Sequence, residues 1–219
     1  MTIADWEQID AALTGSALMI SGVAPLRPED NLPPHLRSVI LLSPDEPGFW
    51  PQYSASAEAN DGAPDPIDRW STRVITALAN ELNAQAIFPF GGPPWAPFQR
   101  WAQASGRAWV SPVGMLVHDV SGLFISFRGA LALPQAAPNL RPGRSPCKRC
   151  AAQPCKTACP TEALTNMGYD LASCHAYLDT VPGVDCLSQG CAVRRACPVG
   201  QANRLTAHSA HHMKAFHAP

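Results

Sequence analysis

The chain has 219 residues, of which 46% are hydrophobic and 15% charged, with a formal net charge of -1. That apolar share excludes a wholly disordered chain, and the near-zero charge offers no bulk attraction to nucleic acid or to an anionic membrane, so neither is expected as a partner. The length suits one large domain, or a medium domain with a small module appended.

Proline is the outlier, with 23 residues, about twice average usage. Much of the chain is therefore expected as loop, turn or extended segment, because proline fixes φ and removes a backbone donor. The opening Met1-Thr2-Ile3-Ala4-Asp5 lacks the basic residues of a secretory signal, and Asp5, Glu7 and Asp10 make the region acidic. Apolar runs such as Val39–Leu42 and Ala130–Leu133 are far too short to span a bilayer. A soluble cytoplasmic protein is the expectation.

Along the chain, Thr2–Leu13 reads as a helix with Ile3, Trp6 and Ile9 on one side. Ala17–Val23 and Ser38–Leu42, short apolar runs bounded by prolines, read as strands. Trp70, Val74, Leu78 and Leu82 recur every four residues and predict a helix over Asp68–Leu82, capped within Asp65-Pro66-Ile67-Asp68. Ile87–Phe90 follows as a strand ended by Gly91-Gly92-Pro93-Pro94, then Ala96–Ala104 as a short helix. Val113–His118 and Leu123–Leu133 are expected to form a hairpin about the turn Asp119–Gly122. The turn-rich stretch Leu133–Pro146 reads as a linker. An α+β domain over 1–140, a cysteine module over 141–205 and a tail over 206–219 result.

All eight cysteines lie between Cys147 and Cys197. In a reducing compartment they point to metal ligands rather than disulfides. The first four run Cys147-x2-Cys150-x4-Cys155-x3-Cys159-Pro160. The bacterial ferredoxin run is C-x2-C-x2-C-x3-C-P, whose fourth cysteine serves the other cluster. Here the middle gap is longer and the rest holds. Cys159 is expected to open a helix leading away, toward a second site. Cys174, Cys186, Cys191 and Cys197-Pro198 complete a second, looser set. The crossed pattern assigns Cys147, Cys150, Cys155 and Cys197 to one [4Fe–4S] cluster, and Cys159, Cys174, Cys186 and Cys191 to the other. Zinc is the competing reading, but zinc sites favour paired C-x2-C knuckles and only one such pair is present.

From Arg141 to Arg204 there are eight Lys/Arg against four acids. They compensate the negative charge of four-thiolate clusters, and they would also suit docking of an acidic electron donor such as flavodoxin or ferredoxin. His208, His211, His212 and His217 fall in a helix-compatible tail, where His208 and His212 are i, i+4 neighbours able to share a metal or, more plainly, part of a solvated terminal helix.

Several stretches together resemble the epoxyqueuosine reductase family, which reduces a modified tRNA base with cobalamin and two [4Fe–4S] clusters. Leu32–Ile40 is similar to that family's early P-x-A-x-S-V-I strand, and Leu123–Leu131 to its G-S-x-x-F-L-G-E-I strand. The motif Cys147–Leu164, then Cys174-His-Ala-Tyr-Leu178 and the final Cys-Pro, come in the family's order, so that the resemblance covers roughly Leu26 to Cys197. It implies a nitroreductase-like α/β sandwich followed by a ferredoxin-like module, and a cobalamin or other corrinoid, or a small-molecule substrate, held by the first domain. Three features depart from the family. Phe88–Pro94 carries no acid where the family has its active-site aspartate; Gly106-Arg107-Ala108-Trp109-Val110-Ser111 replaces its G-K-N loop; and no helical-repeat domain follows the module. A shorter relative, not an epoxyqueuosine reductase itself, is expected.

Three functions follow as alternatives: a reductase fed by two clusters, a plain ferredoxin-type carrier, and a corrinoid-handling protein without catalysis. Tyr53, His118 and Asp119 are candidates for a pocket, although 118–122 is also ordinary turn chemistry. Trp95, Phe98, Trp101 and Trp109 are candidates for stacking on a planar macrocycle, or else core.

Overall fold

The computed structural model describes residues 6–137, 143–165 and 167–218. The first residues of the expected N-terminal helix, and 138–142 of the expected linker with Arg141, lie outside them. In chain order the elements are α1 (Trp6–Leu13), β1 (Leu18–Pro25), β2 (Ser38–Pro44), α2 (Phe49–Ser54), α3 (Ala57–Asn60), α4 (Pro66–Glu81), β3 (Gln85–Ile87), α5 (Phe98–Ala104), β4 (Ala108–Val110), β5 (Leu116–His118) and β6 (Gly129–Leu133). After these come β7 (Leu164–Thr165), β8 (Gly168–Tyr169), α6 (Leu171–Leu178), α7 (Val184–Gln189), α8 (Ala192–Ala196) and α9 (Thr206–His217). The chain is α+β and divides into two units, Met1–Arg107 with Ser126–Gly143, and Ala108–Ile125 with Arg144–Pro219. No helix among the described residues is long and apolar enough to cross a membrane.

In the first unit every residue of β6 is buried. A strand with no polar face fits the middle of a sheet covered on both sides. It lies there, in a four-stranded sheet of order β1-β2-β6-β3 that is antiparallel throughout. Leu131 and Leu133 join Ile40 and Leu42 against Ile9, Phe49, Trp70 and Ile75 of α1, α2 and α4. Leu41, one residue out of phase, faces the opposite side, and α5 packs across β1 and β2. Gly22 pairs with Leu41 and admits the end of α5: a Cβ at position 22 would come within 2.6 Å of Ser105 Oγ.

The second unit is built from short pieces. β4 and β5 form a two-stranded hairpin, β7 and β8 another, and α7 packs against α6 and α9. One apolar cluster gathers Val113, Val117, Leu123, Leu164 and Val193 with several cysteines, and a second gathers Leu178, Cys186 and Met213.

Five expectations need correction. Val113–His118 does not pair with Leu123–Leu133: β5 pairs with β4, and β6 pairs with β2 and β3. The apolar Gly-Ala-Leu-Ala-Leu run needs cover on both faces, which a two-stranded hairpin cannot provide. Ala108–Ile125, expected in the first domain, clusters with the cysteine segment. The strand expected over Ile87–Phe90 is Gln85–Ile87, since Pro89 has no N–H for a ladder. At α4 the cap position is Asp65, but its side chain makes no capping bond; its carbonyl accepts from the N–H of Asp68 and Arg69 instead. Cys159 opens no helix: Glu162 takes φ 53, which breaks helical geometry, and the chain passes through a turn into β7.

An exposed clasp ties α3 to α4, where Arg73 binds both carboxylate oxygens of Glu58, Nη2 at 3.0 Å from Oε2. The hydrogen bond from Arg73, chiefly, lowers the Glu58 carboxyl from 4.5 to about 2. A depressed acid contributes stability that is complete above its ordinary value and is lost as the pH falls through the lowered one. Glu58→Gln should therefore cost at most about 1 kcal/mol at pH 7. In urea unfolding, the gap between variant and unmodified protein should shrink as the pH falls from 4.5 toward 2.

Candidate functional site

Two proline-started helical turns set the first group of thiols. Pro146–Arg149 carries Cys147 and is followed by Cys150, and Pro154–Lys156 carries Cys155. Proline suits the first position of such a turn because its missing N–H has no partner there anyway. Gln153, at φ 39, reverses the chain between them. Cys197 arrives from the far end of the unit, just past α8. Cys147, Cys150, Cys155 and Cys197 line one hollow of about 360 Å³ of empty space, part of it open to solvent, with Val117, Leu123 and several prolines as the wall. Burial pushes the Cys147 and Cys155 thiols up, and the neighbouring thiols of the same group add to it.

Cys159, Cys174, Cys186 and Cys191 line a second hollow of about 350 Å³. Cys174 stands on α6, Cys186 on α7, and Cys191 at the start of α8. Burial alone would raise Cys159, but hydrogen bonds from the Thr161 side chain and the N–H groups of Thr161, Ala163 and Leu164 outweigh it and hold the thiol below its ordinary value. Burial dominates at Cys191 and raises it, opposed by the N–H groups of Arg194 and Val193. Both sulfurs thus sit where backbone donors point at them; the donors outweigh burial at Cys159 and are outweighed by it at Cys191.

Each expected group of four lines its own hollow, and neither hollow is lined by a cysteine of the other group. Among the described residues, no three or more His, Cys, Asp or Glu side chains converge closely enough for a single metal ion. A zinc ion reaches its thiolates at about 2.3 Å, which would hold its ligand sulfurs within about 4.6 Å of one another. A four-iron cluster takes one cysteine at each corner of a larger body. Four thiols around one apolar hollow match in number the donor set that such a cluster takes.

Other candidates have structural surroundings. Tyr53 is buried, stacked on Phe49 at 6.0 Å and edge-on to Trp70. His118 is fully buried; its Nδ1 accepts the N–H of Val120 and Ser121, and its Nε2 lies 3.1 Å from Asp119. Phe98 and Trp101 are core, with Trp101 Nε1 donating to Asp30 at 3.1 Å. Trp109 packs on the second unit's core, and Trp95 is exposed. His217 pairs with Asp179 at 2.9 Å, and α9 is seated on α7 with Met213 buried.

Sequence reasoning passed over Tyr169, and gave other roles to Arg194, counted among the basic residues for charge compensation or docking, and to Gly122. Arg194 is buried in the second unit and donates to the carbonyls of Leu123, at 2.7 Å, and Ile125. Tyr169 donates its hydroxyl to Cys174 Sγ at 3.2 Å. Gly122, read only as a turn former, lies against Cys197 and Val199. Its place three residues after the adjacent His118-Asp119 was the one available signal. The chain matches no family model and no curated protein.

A Cβ at Gly122 would lie 2.3 Å from Val199 O and 3.1 Å from Cys197 Sγ, at φ +57. Gly122→Ala should cost about 2–4 kcal/mol from left-handed strain and overpacking together. Alkylation of the full chain, mapped by mass spectrometry, should show Cys197 becoming more reactive relative to Cys159. Equal reactivity of the two in variant and unmodified protein would contradict this placement.

Proposed function

We propose that the chain is an electron-transfer protein carrying two [4Fe–4S] clusters, one held by Cys147, Cys150, Cys155 and Cys197 and the other by Cys159, Cys174, Cys186 and Cys191. One observation carries the reading: eight thiols resolve into two groups of four, each around its own apolar hollow. When bound, such clusters accept and release single electrons. The second unit is on this reading a ferredoxin-like module, and the first a nitroreductase-like domain.

The protein's own residues divide the remaining work. Val117, Leu123 and the prolines limit water around the first group, and Leu164, Leu178 and Met213 do so around the second. The N–H groups aimed at Cys159 and Cys191 stabilise charge on those sulfurs. Cys191 and Cys197 bracket the five residues of α8, whose helical rise is about 8 Å. The two groups therefore stand close enough for electrons to pass between them. Lys148, Arg149 and Lys156 are exposed beside the first group, with no acid between Val120 and Thr161. That local positive face suits an acidic redox donor of the flavodoxin or ferredoxin type.

A second reading makes the protein a cobalamin-dependent reductase. It draws on an open hollow in the first unit, about 1630 Å³ including solvent space, walled by Leu26, Pro28, Pro33, Pro34 and Leu36 with Arg27 and Arg37 on its margin. A large concavity that joins apolar walls to a few polar groups has room for a broad ring system. A shift of added cob(II)alamin toward its base-off spectrum, with the cofactor retained through gel filtration, is the outcome that reading requires.

Protein prepared anaerobically should contain close to eight iron and eight sulfide per chain and bleach on dithionite. A colourless protein that takes up only zinc after reconstitution would overturn the proposal. Cys197→Ala should remove the electron paramagnetic resonance signal that depends on Cys147 and leave the one that depends on Cys191. Loss of the same signal in Cys197→Ala and Cys191→Ala would refute the partition.

A further inference from the structure

Tyr169 has no place in the cysteine pattern, yet its hydroxyl donates to Cys174 Sγ. The contact is maintained from the other side of the ring. Phe216 of α9 stacks on Tyr169 with centroids 5.9 Å apart and planes at 11°. The same Phe216 ring lies 4.7 Å from His175, the neighbour of Cys174 in α6. At the helix end His217 bonds Asp179, the C-cap residue of α6. One turn back Met213 enters the wall of the second hollow. Ser209 lies where a Cβ on Gly190, directly before Cys191, would meet its Cβ at 2.6 Å. The terminal helix is thus seated, from Ser209 to His217, on segments that carry three of the four thiols.

We propose that Tyr169 is a positioning residue that raises the reduction potential of the cluster held by Cys159, Cys174, Cys186 and Cys191, and that α9 keeps it in place through Phe216. The inference rests on the electron-transfer reading above. A donor hydrogen-bonded to a ligand sulfur stabilises the more negative, reduced state, so the potential rises while the bond exists and falls when it is removed. The first hollow is lined by no tyrosine, so the effect belongs to one cluster. The β7–β8 ladder holds the Tyr169 backbone and the Phe216 stack holds its ring, so a loosened α9 should act on the potential with every cysteine still present.

Redox titration of the full chain followed by electron paramagnetic resonance tests this, with the second signal identified by its loss in Cys186→Ala. Tyr169→Phe keeps the ring and its stack and deletes only the hydroxyl. It should retain full iron and sulfide, shift the second signal to lower potential and leave the first in place. Phe216→Ala should move the second signal in the same direction, and Phe216→Trp should restore it. Full iron content with both potentials unchanged in Tyr169→Phe would overturn the tuning role while leaving the electron-transfer reading intact. Loss of about half the iron in Tyr169→Phe would make the hydroxyl a structural support, and would overturn it equally. Absence of iron from the unmodified protein would instead remove the underlying reading.

Discussion

The second unit depends on one constraint: Cys197 must return to the hollow that Cys147, Cys150 and Cys155 began. Between Cys155 and Cys197 the chain places all four thiols of the second hollow, so the first is complete only when the last cysteine is in place. The return is made by α8, which starts at Cys191 in one group and ends at Cys197 in the other. Arg194 on that helix donates to the carbonyls of Leu123 and Ile125, and its guanidinium lies 5.3 Å from the Phe124 ring. Arg204 lies 4.8 Å from the same ring. A buried guanidinium left unpaired would be costly, so these contacts fix the helix against the 118–125 segment. That is why 108–125 belongs with the cysteines and not with the sheet that follows it in sequence.

Charge distinguishes the two hollows. Arg144, Lys148, Arg149 and Lys156 accompany the first group, whereas Glu162, Asp170, Asp179 and Asp185 accompany the second, with no Lys or Arg from Thr157 through Val193. Three of the acids are engaged, Asp185 by Arg195, Asp179 by His217 and Asp170 by the N–H and hydroxyl of Ser173. The second group has local donors in compensation: the Tyr169 hydroxyl, the N–H groups around Cys159, and those beside Cys191. Two hollows each lined by four thiols are thereby given different surroundings, one through solvent-exposed cations and the other through hydrogen bonds. Salt should screen the first kind of influence far more than the second.

The first unit has its own logic. Its sheet is apolar on both faces and needs helices on both, which α4 with α1 and α2 supplies on one side and α5 on the other. Of the four aromatics expected as a platform for a ring ligand, Phe98 and Trp101 are consumed by that packing. One concavity of this unit is walled by prolines and leucines of 25–36 together with Arg27 and Arg37.

The sequence by itself determined what depends on spacing along the chain. The four-residue recurrence of Trp70 and Leu78 marked α4, the apolar run after Ser38 marked β2, and the cysteine spacings divided eight thiols into two groups of four that the structure brings around two hollows. These are local quantities, since periodicity reports a buried face and a short loop limits how far apart its ends can be. Tertiary structure alone decided which strands pair, because β6 could satisfy its backbone with a neighbour in sequence or with β2 and β3, and only burial of both faces selects the latter. It also decided that Gly122 meets Cys197, that Arg194 reaches Leu123, and that Phe216 stacks on Tyr169. Each of those contacts joins residues tens of positions apart. Their energy comes from close packing and desolvation at a single point, for which a linear pattern of residue types carries no mark.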